Sequence, residues 1–174
     1  MAESHRKARL QLIVFTLNGI EFAVPIEQVW RVEPLAELRV TRVPRAPDFL
    51  EGVVNVRGHV IPILDLKTRF ALAQVERSPK SRLLVVEMGA SRVGLIVDTV
   101  SNIIWFPTAR IVPPPPMVAQ ISGVFVQGIA QDENTLLIIL DLQSVLDPTE
   151  QAELEQLALP DESSGENNPS SEDF

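Results

Sequence analysis

The sequence predicts a mainly β protein: two small β-barrels arising from an internal duplication, with a short helix near the C-terminal end. Three observations predict it. Short apolar runs alternate with period two and are punctuated by Gly and Pro. Stretches of the first half recur in the second, 71 to 76 residues later. Only the segment after Leu146 carries a helical period.

Residues 1–9 are polar and aperiodic and read as a loose lead-in. Leu12, Val14 and Thr16 then alternate with Ile13, Phe15 and Leu17 before Asn18-Gly19 marks a turn. Phe22, Val24 and Ile26 continue at spacing two, and β-branched residues recur through Val32. Pro25 would interrupt a central ladder, so its strand is expected at an edge or bulged there. The run from Leu12 to Val29 has its counterpart in Leu83 to Val100, offset by 71 at both ends. Gly52-Val53 matches Gly123-Val124 at the same offset, whereas Ile63 to Leu66 match Ile139 to Leu142 at 76. That change implies a turn about five residues longer around Ala130 to Asn134, a small cost in a surface turn. The barrels are placed at 10–75 and 80–146, joined near Ala71 to Lys80. Tandem barrels can exchange a strand, so this boundary need not be the spatial one. Pro113 to Pro116 reads as a stiff polyproline loop in the second repeat. Asp147-Pro148-Thr149-Glu150 has the form of a helix start, and Leu154, Leu157 and Ala158 share a face. A helix over 147–159, packed on a barrel, is expected. Residues 160–174 are rich in Ser, Asn, Pro and acids, cannot offset their chain entropy by burial, and read as a disordered acidic tail.

With 174 residues, 45% of them hydrophobic, the chain can bury a core without covalent staples. It has no cysteine, which excludes disulfides, thiolate metal sites and cysteine nucleophiles, and suits a reducing cytoplasm. The net charge is −8. Setting aside Asp161, Glu162, Glu166, Glu172 and Asp173, and the net two positives of residues 1–9, leaves a body of about −5, which repels phosphate backbones. No apolar stretch is long enough to span a bilayer and no apolar core follows the N-terminal charges, so a cytoplasmic protein without membrane insertion is expected. His5 and His59 are far apart, and no serine stands in a nucleophile elbow. Asp65, Asp98 and Asp141 read as strand-end and turn aspartates, and Trp30 and Trp105 as barrel-core or interface residues. No catalytic, metal or cofactor constellation emerges, and the chain reads as a non-enzyme.

One ordered set of motifs carries more. Gly52-Val-Val-Asn-Val-Arg-Gly-His-Val-Ile-Pro-Ile-Leu-Asp-Leu66 resembles the G-V-x-N-L-R-G-x-x-x-P-x-x-D-L signature of the CheW-like family of chemotaxis coupling proteins. Val43-Pro44-Arg-Ala-Pro47-Asp-Phe49 resembles the family's approach to that signature, and Val93-Gly94-Leu-Ile-Val97-Asp98-Thr-Val100 its V-G-x-x-V-D-x-V segment. Gly123-Val124 and Leu137 to Leu142 match its closing strands, so the resemblance spans about residues 10 to 150. It implies two SH3-like five-stranded barrels and a scaffold that couples chemoreceptors to the histidine kinase CheA. Such a scaffold binds the kinase's regulatory domain and the cytoplasmic helical tip of the receptor, a helix-in-groove contact. The same module serving a pilus-motility or other non-flagellar chemosensory pathway is the alternative.

Carried over by motif, the receptor-facing residues are Ile26, Val29, Arg57, Val97 and Val100, with barrel core an equal reading for the four aliphatics. Arg57 reads as an internally anchored arginine that shapes the groove. Gly52, Asn55, Gly58 and Pro62 read as structural residues of the motif. Arg31 stands where many members carry glutamate, a reversed charge that bears on which receptor is recognised. No kinase-facing residue is assigned, and the acidic tail lies outside the resemblance.

Overall fold

The computed structural model describes residues 8–117, 126–131, 133–134, 136–146 and 148–154. Strand β1 (Arg9–Leu17) turns through Asn18 and Gly19, whose φ values of 50° and 81° suit a tight hairpin, into β2 (Ile20–Pro25). A 3₁₀ turn (Ile26–Gln28) leads to β3 (Val29–Pro34). A second hairpin joins β4 (Leu50–Val56) to β5 (His59–Asp65), followed by the one-turn helix α1 (Leu66–Arg69). After an extended link come β6 (Arg82–Met88), β7 (Ser91–Val97), β8 (Thr99–Pro107) and the two-residue β9 (Ile111–Val112). The chain closes with β10 (Val126–Gln131), β11 (Leu136–Leu140), α2 (Leu142–Val145) and a helix α3 over 148–154.

The strands form two sheets, ordered β8-β1-β2-β11-β10-β9 and β3-β6-β7-β5-β4. Neither sheet is one half of the chain. The hairpin β1–β2 sits between β8 and β11 of the second half, and the hairpin β6–β7 sits between β3 and β5 of the first. The units in space therefore cross the boundary drawn between 10–75 and 80–146, and what crosses is a hairpin in each direction. The duplication holds to the register. Val29 faces Val86 as Val100 faces Phe15, and Ile63 faces Gly94 as Ile139 faces Ala23.

The exchange explains why these hairpins read as unbroken apolar runs. Leu12, Val14 and Ala23 face one cluster with Phe106, Leu137 and Ile139, inside the six-stranded sheet. Leu83, Val85 and Ile96 face another with Val54, Ile61 and Ile63, inside the five-stranded one. Their alternate residues, Ile13, Phe15, Phe22 and Val24 against Leu84, Val86, Leu95 and Val97, fill a third cluster shared by both sheets. Both faces of each exchanged hairpin are thus buried, which removes the polar alternation of a half-exposed strand. Each fully buried aliphatic or aromatic side chain contributes about 1.5–3 kcal/mol of transfer free energy, which concentrates stability in these four strands.

Several expectations need correcting. The five extra residues of the second half do not lie in the turn around Ala130 to Asn134, because both flanking strands keep the offset of 76. They lie before β10. Gly52 pairs with Ile63 and Gly128 with Ile139, so the structural counterpart of Gly52 is Gly128. Each glycine lets the preceding chain cross closely: a Cβ on Gly52 would meet the Thr41 carbonyl oxygen and Val40, and one on Gly128 would meet Ile111 at 2.9 Å. Strand β2 is central, not an edge; Pro25 ends it, beyond the two pairs made with β11. Arg9 belongs to β1 instead of the loose lead-in. Helix α3 buries Leu154 in the shared cluster as expected. Its start at Asp147, its continuation through Leu157 and Ala158, the motif Gly123-Val124 and the tail 160–174 all fall outside the described residues.

Candidate functional site

The signature motif is first a piece of local architecture. Arg57 and Gly58 form the β4–β5 turn with φ values of 54° and 86°, and Asn55 Oδ1 accepts the Gly58 N–H at 2.9 Å. Pro62 is buried in a central strand, yet it needs no amide hydrogen there. Its partner Val53 exchanges both backbone hydrogen bonds with Thr41, so the Pro62 nitrogen faces β7 ahead of the parallel pairs, which begin at Ile63. Asp65 caps α1 by accepting from the Lys67 N–H and the Thr68 hydroxyl, as Asp141 caps α2 by accepting from Gln143 and Ser144. Asp98 does something else. It ion-pairs with the buried Lys67 at 2.7 Å and accepts the Asn18 N–H at 2.8 Å, tying α1, the β1–β2 turn and the end of β7 together.

The motif-derived residues separate into two groups. Val29 and Val100 are half-buried at equivalent places on β3 and β8 and pack against the shared cluster, so they flank the seam where the sheets meet. Ile26 is half-buried at the start of the 3₁₀ turn beside it. Val97 is fully buried in that cluster and presents no surface, which makes it core in this conformation.

The polar group gathers around Trp30. Strand β3 bulges between Val29 and Arg31, and the extra residue, Trp30, packs at the rim of the five-stranded sheet's cluster. The Arg92 guanidinium lies 4.1 Å from its ring centroid, Arg31 lies 5.7 Å away, and His59 meets the ring edge-on at 5.3 Å. Arg31 pairs with Glu33 at 2.7 Å and Arg92 with Glu87 at 3.8 Å. Arg57, two residues before His59, is exposed and makes no ion pair among the described residues. The expected internal anchor for Arg57 is therefore absent among them; a left-handed turn residue points its side chain outward from the hairpin tip.

Sequence reasoning missed Trp30 and Arg92 as partners, because β3 and β7 come close only through the hairpin exchange. Trp105, read as a core or interface residue, is 57% exposed on β8, beside Ile103 at 54% and under the Arg9 guanidinium at 5.6 Å, which removes the core reading and leaves the interface one. Charge is unevenly divided. Residues 29–97, which supply the whole five-stranded sheet, hold eleven Lys/Arg against seven Asp/Glu, whereas 8–28 with 98–154 hold two against nine. Among the described residues no group of three or more His, Asp or Glu could hold a metal ion, and no helix is long and apolar enough to cross a membrane. Surface depressions of about 270 Å³ beside Arg42 to Glu51 and about 430 Å³ between Arg110 and Glu133 gather no serine or histidine.

Comparison with known proteins places this architecture. The family model of the CheW-like domain matches residues 11–150. The chain is 34% identical to the chemotaxis protein CheW of Bacillus subtilis over 152 residues, covering 87% of this chain and 94% of the relative. It is 33% identical to the protein PilI of Pseudomonas aeruginosa over 129 residues, 72% of this chain and 70% of that one. The crystal structure of the scaffolding protein TtCheW from Thermoanaerobacter tengcongensis superposes with a TM-score of 0.73 at 36% identity, covering 79% of this chain and 92% of that chain. With the match running through both halves and nearly every strand, this chain belongs to the CheW-like domain family.

Proposed function

We propose that this protein is a scaffold of a chemosensory complex, coupling chemoreceptors to a CheA-type histidine kinase through protein–protein contacts. The observation that carries the proposal is the extent of the likeness: chemotaxis proteins named CheW, and a scaffolding CheW of known structure, align over most of both chains. The receptor helix would lie along the seam between the sheets, with Ile26, Val29 and Val100 supplying apolar contact and Arg31 and Arg57 fixing register. The work is done by binding surfaces, without a bound cofactor, in the cytoplasm where kinase and receptor tip meet.

A calorimetric titration with the regulatory domain of the cognate CheA-type kinase tests the reading, followed by NMR shift mapping. Saturable binding with shifts confined to one sheet supports it and locates the kinase face. No heat and no shifts at high micromolar concentrations of both folded proteins overturn the coupling role and leave the fold untouched. A second reading keeps the adaptor but moves it to a pilus-motility or other non-flagellar chemosensory pathway. Arg31 and the likeness to a relative named PilI favour it. Binding to one kinase and not another from the same cell separates the two.

A further inference from the structure

The acidic segment that follows Leu154 is the part of the sequence to which the coupling role assigns nothing. Residues 155–174 carry Glu155, Asp161, Glu162, Glu166, Glu172 and Asp173 and no Lys, Arg or His. On the folded body, the Arg31 and Arg92 guanidinium groups converge on the Trp30 ring from two strands, His59 meets its edge from a third, and Arg57 stands two residues before His59 in the chain. We propose that the acidic tail docks in cis on this Trp30–Arg31–Arg92 cluster, so that any acidic partner segment must displace it.

Four observations carry the choice of occupant. The first is where the described chain stops: Leu154 lines a narrow cavity with Met88, Ser91 and Val93, beside the β6–β7 hairpin that bears Arg92. The second is reach. Residues 160–174 alone supply up to about 50 Å of extended chain, several times the about 10 Å that separates packed sheet layers. Charge is the third. Arg31 and Arg92 are matched by Glu33 and Glu87, and Arg57, exposed two residues before His59, adds a cation with no ion pair among the described residues, in a protein of net charge −8.

The fourth is the counterpart site in the other sheet, which lacks the feature altogether. There the bulged residue is Ser101 in place of Trp30, Asn102 stands for Arg31 and Glu21 for Arg92. The other sheet offers an acidic segment Arg9 over Trp105, against two guanidinium groups on one ring here. Tethering raises its local concentration to the millimolar range, so weak contacts suffice for substantial occupancy, and salt weakens them.

The chain has no native cysteine, so a single Ser171→Cys substitution accepts a nitroxide cleanly in the full-length protein. The expected result in a ¹⁵N spectrum at low salt is loss of roughly half or more of the Trp30 indole and Arg92 amide intensity, recovering in about 0.5 M salt as charges are screened. Trp105, in the other sheet, should keep its intensity under both conditions. Equal broadening at the two tryptophans, or none at low salt, overturns the proposal. Broadening that appears between nitroxide-bearing unlabelled protein and ¹⁵N protein without the nitroxide overturns it in favour of a second copy as the occupant. An Arg92→Gln variant should abolish the effect. Should that variant misfold, changing Asp161, Glu162, Glu166, Glu172 and Asp173 to their amides makes the same test without touching the body, and persistence of the broadening there counts against the proposal. The readout is intramolecular, so it stands or falls independently of kinase or receptor binding.

Discussion

Strands β3 and β8 are the same piece of backbone built twice. Each follows a 71-residue register, each places a valine (Val29, Val100) against the shared cluster, and each bulges one residue later. What differs is the residue put out by the bulge. In β3 it is Trp30, stacked by Arg92 and edged by His59; in β8 it is Ser101, which donates to the Val14 carbonyl at 3.3 Å. Around the first lie arginines, around the second Asn102 and Glu21. Duplication has kept the interior, where a change of one methylene is felt, and released the ends, where side chains face water and partners. The asymmetry of charge between the sheets follows the same division.

The interior half of that comparison is broken most directly at Phe15. It is fully buried on an exchanged strand, stacks on Phe22 at 5.8 Å, and faces the cluster that joins the sheets. Phe15→Ala should cost about 3–5 kcal/mol, read as a fall in the urea midpoint. Ile103→Ala, on the exposed face of the neighbouring β8, should stay within about 0.5 kcal/mol. Similar losses for the two would show that the hairpins are not where stability is concentrated.

Next in size are the two crossing glycines. At Gly52 an added Cβ meets a backbone carbonyl, which cannot step aside without moving the Thr41–Val53 bridge. At Gly128 it meets the Ile111 side chain first, with the Val112 carbonyl at 3.1 Å. Gly52→Ala is therefore expected to cost about 3 kcal/mol and Gly128→Ala about 1–2 kcal/mol, measured by denaturant melts of the two variants side by side. The reverse order would mean that the equivalence of the two crossings is not structural.

The strands, the duplication and the first tight hairpin were legible in the sequence because each rests on local pattern: period two, a fixed offset, Asn-Gly at the turn. The partnership of β1–β2 with β8 and β11 was not. A hairpin with apolar residues on both faces can serve either neighbour, and nothing local distinguishes its own half from the other. For the same reason the Trp30–Arg92 stack was invisible, since it joins residues 62 positions apart across that exchange. The longer insert was misplaced because Gly123-Val124 copies the Gly52-Val53 pair by offset, while the ladder equates Gly52 with Gly128. Of the candidate site residues, Val29 and Val100 came from the family motif, and the repeat shows only that they are equivalent; whether Val97 faced outward depended on packing no pattern encodes.

A smaller effect tests how the last helix is fastened to the paired halves. Arg69, on α1, donates to both carboxylate oxygens of Glu150 at 3.0 and 2.9 Å and to the Val145 carbonyl at 2.8 Å, with its guanidinium over Phe49. In the other half the same one-turn helix, α2, carries Val145 where α1 carries Arg69. Glu150→Gln keeps the shape but turns one acceptor oxygen into an NH2 that faces an Arg69 N–H and takes the charge from the other bond, so a loss of about 1.5 kcal/mol is expected. Hydrogen exchange should rise first in 148–154, ahead of the strands. A uniform rise across both sheets would mean that the helix unfolds only with the whole molecule.

The smallest expected effect on stability bears most on recognition. Arg31 is half-buried on β3, and its pair with Glu33 joins two residues of one strand face that water still reaches. Such a pair contributes between nothing and about 1 kcal/mol. Arg31→Asn gives β3 the residue that β8 carries at the equivalent place, and should change the unfolding free energy by less than about 0.5 kcal/mol. If Arg31 fixes the register of a receptor helix, the same variant should weaken binding of a receptor-tip fragment several-fold and reduce its dependence on salt, because a charge at the rim acts through long-range attraction. A stability loss above about 2 kcal/mol would instead make Arg31 a structural partner of Trp30 and Glu33. In that case the reversed charge would belong to the fold of this sheet, and the choice of partner would have to be read from Arg57 and the seam valines alone.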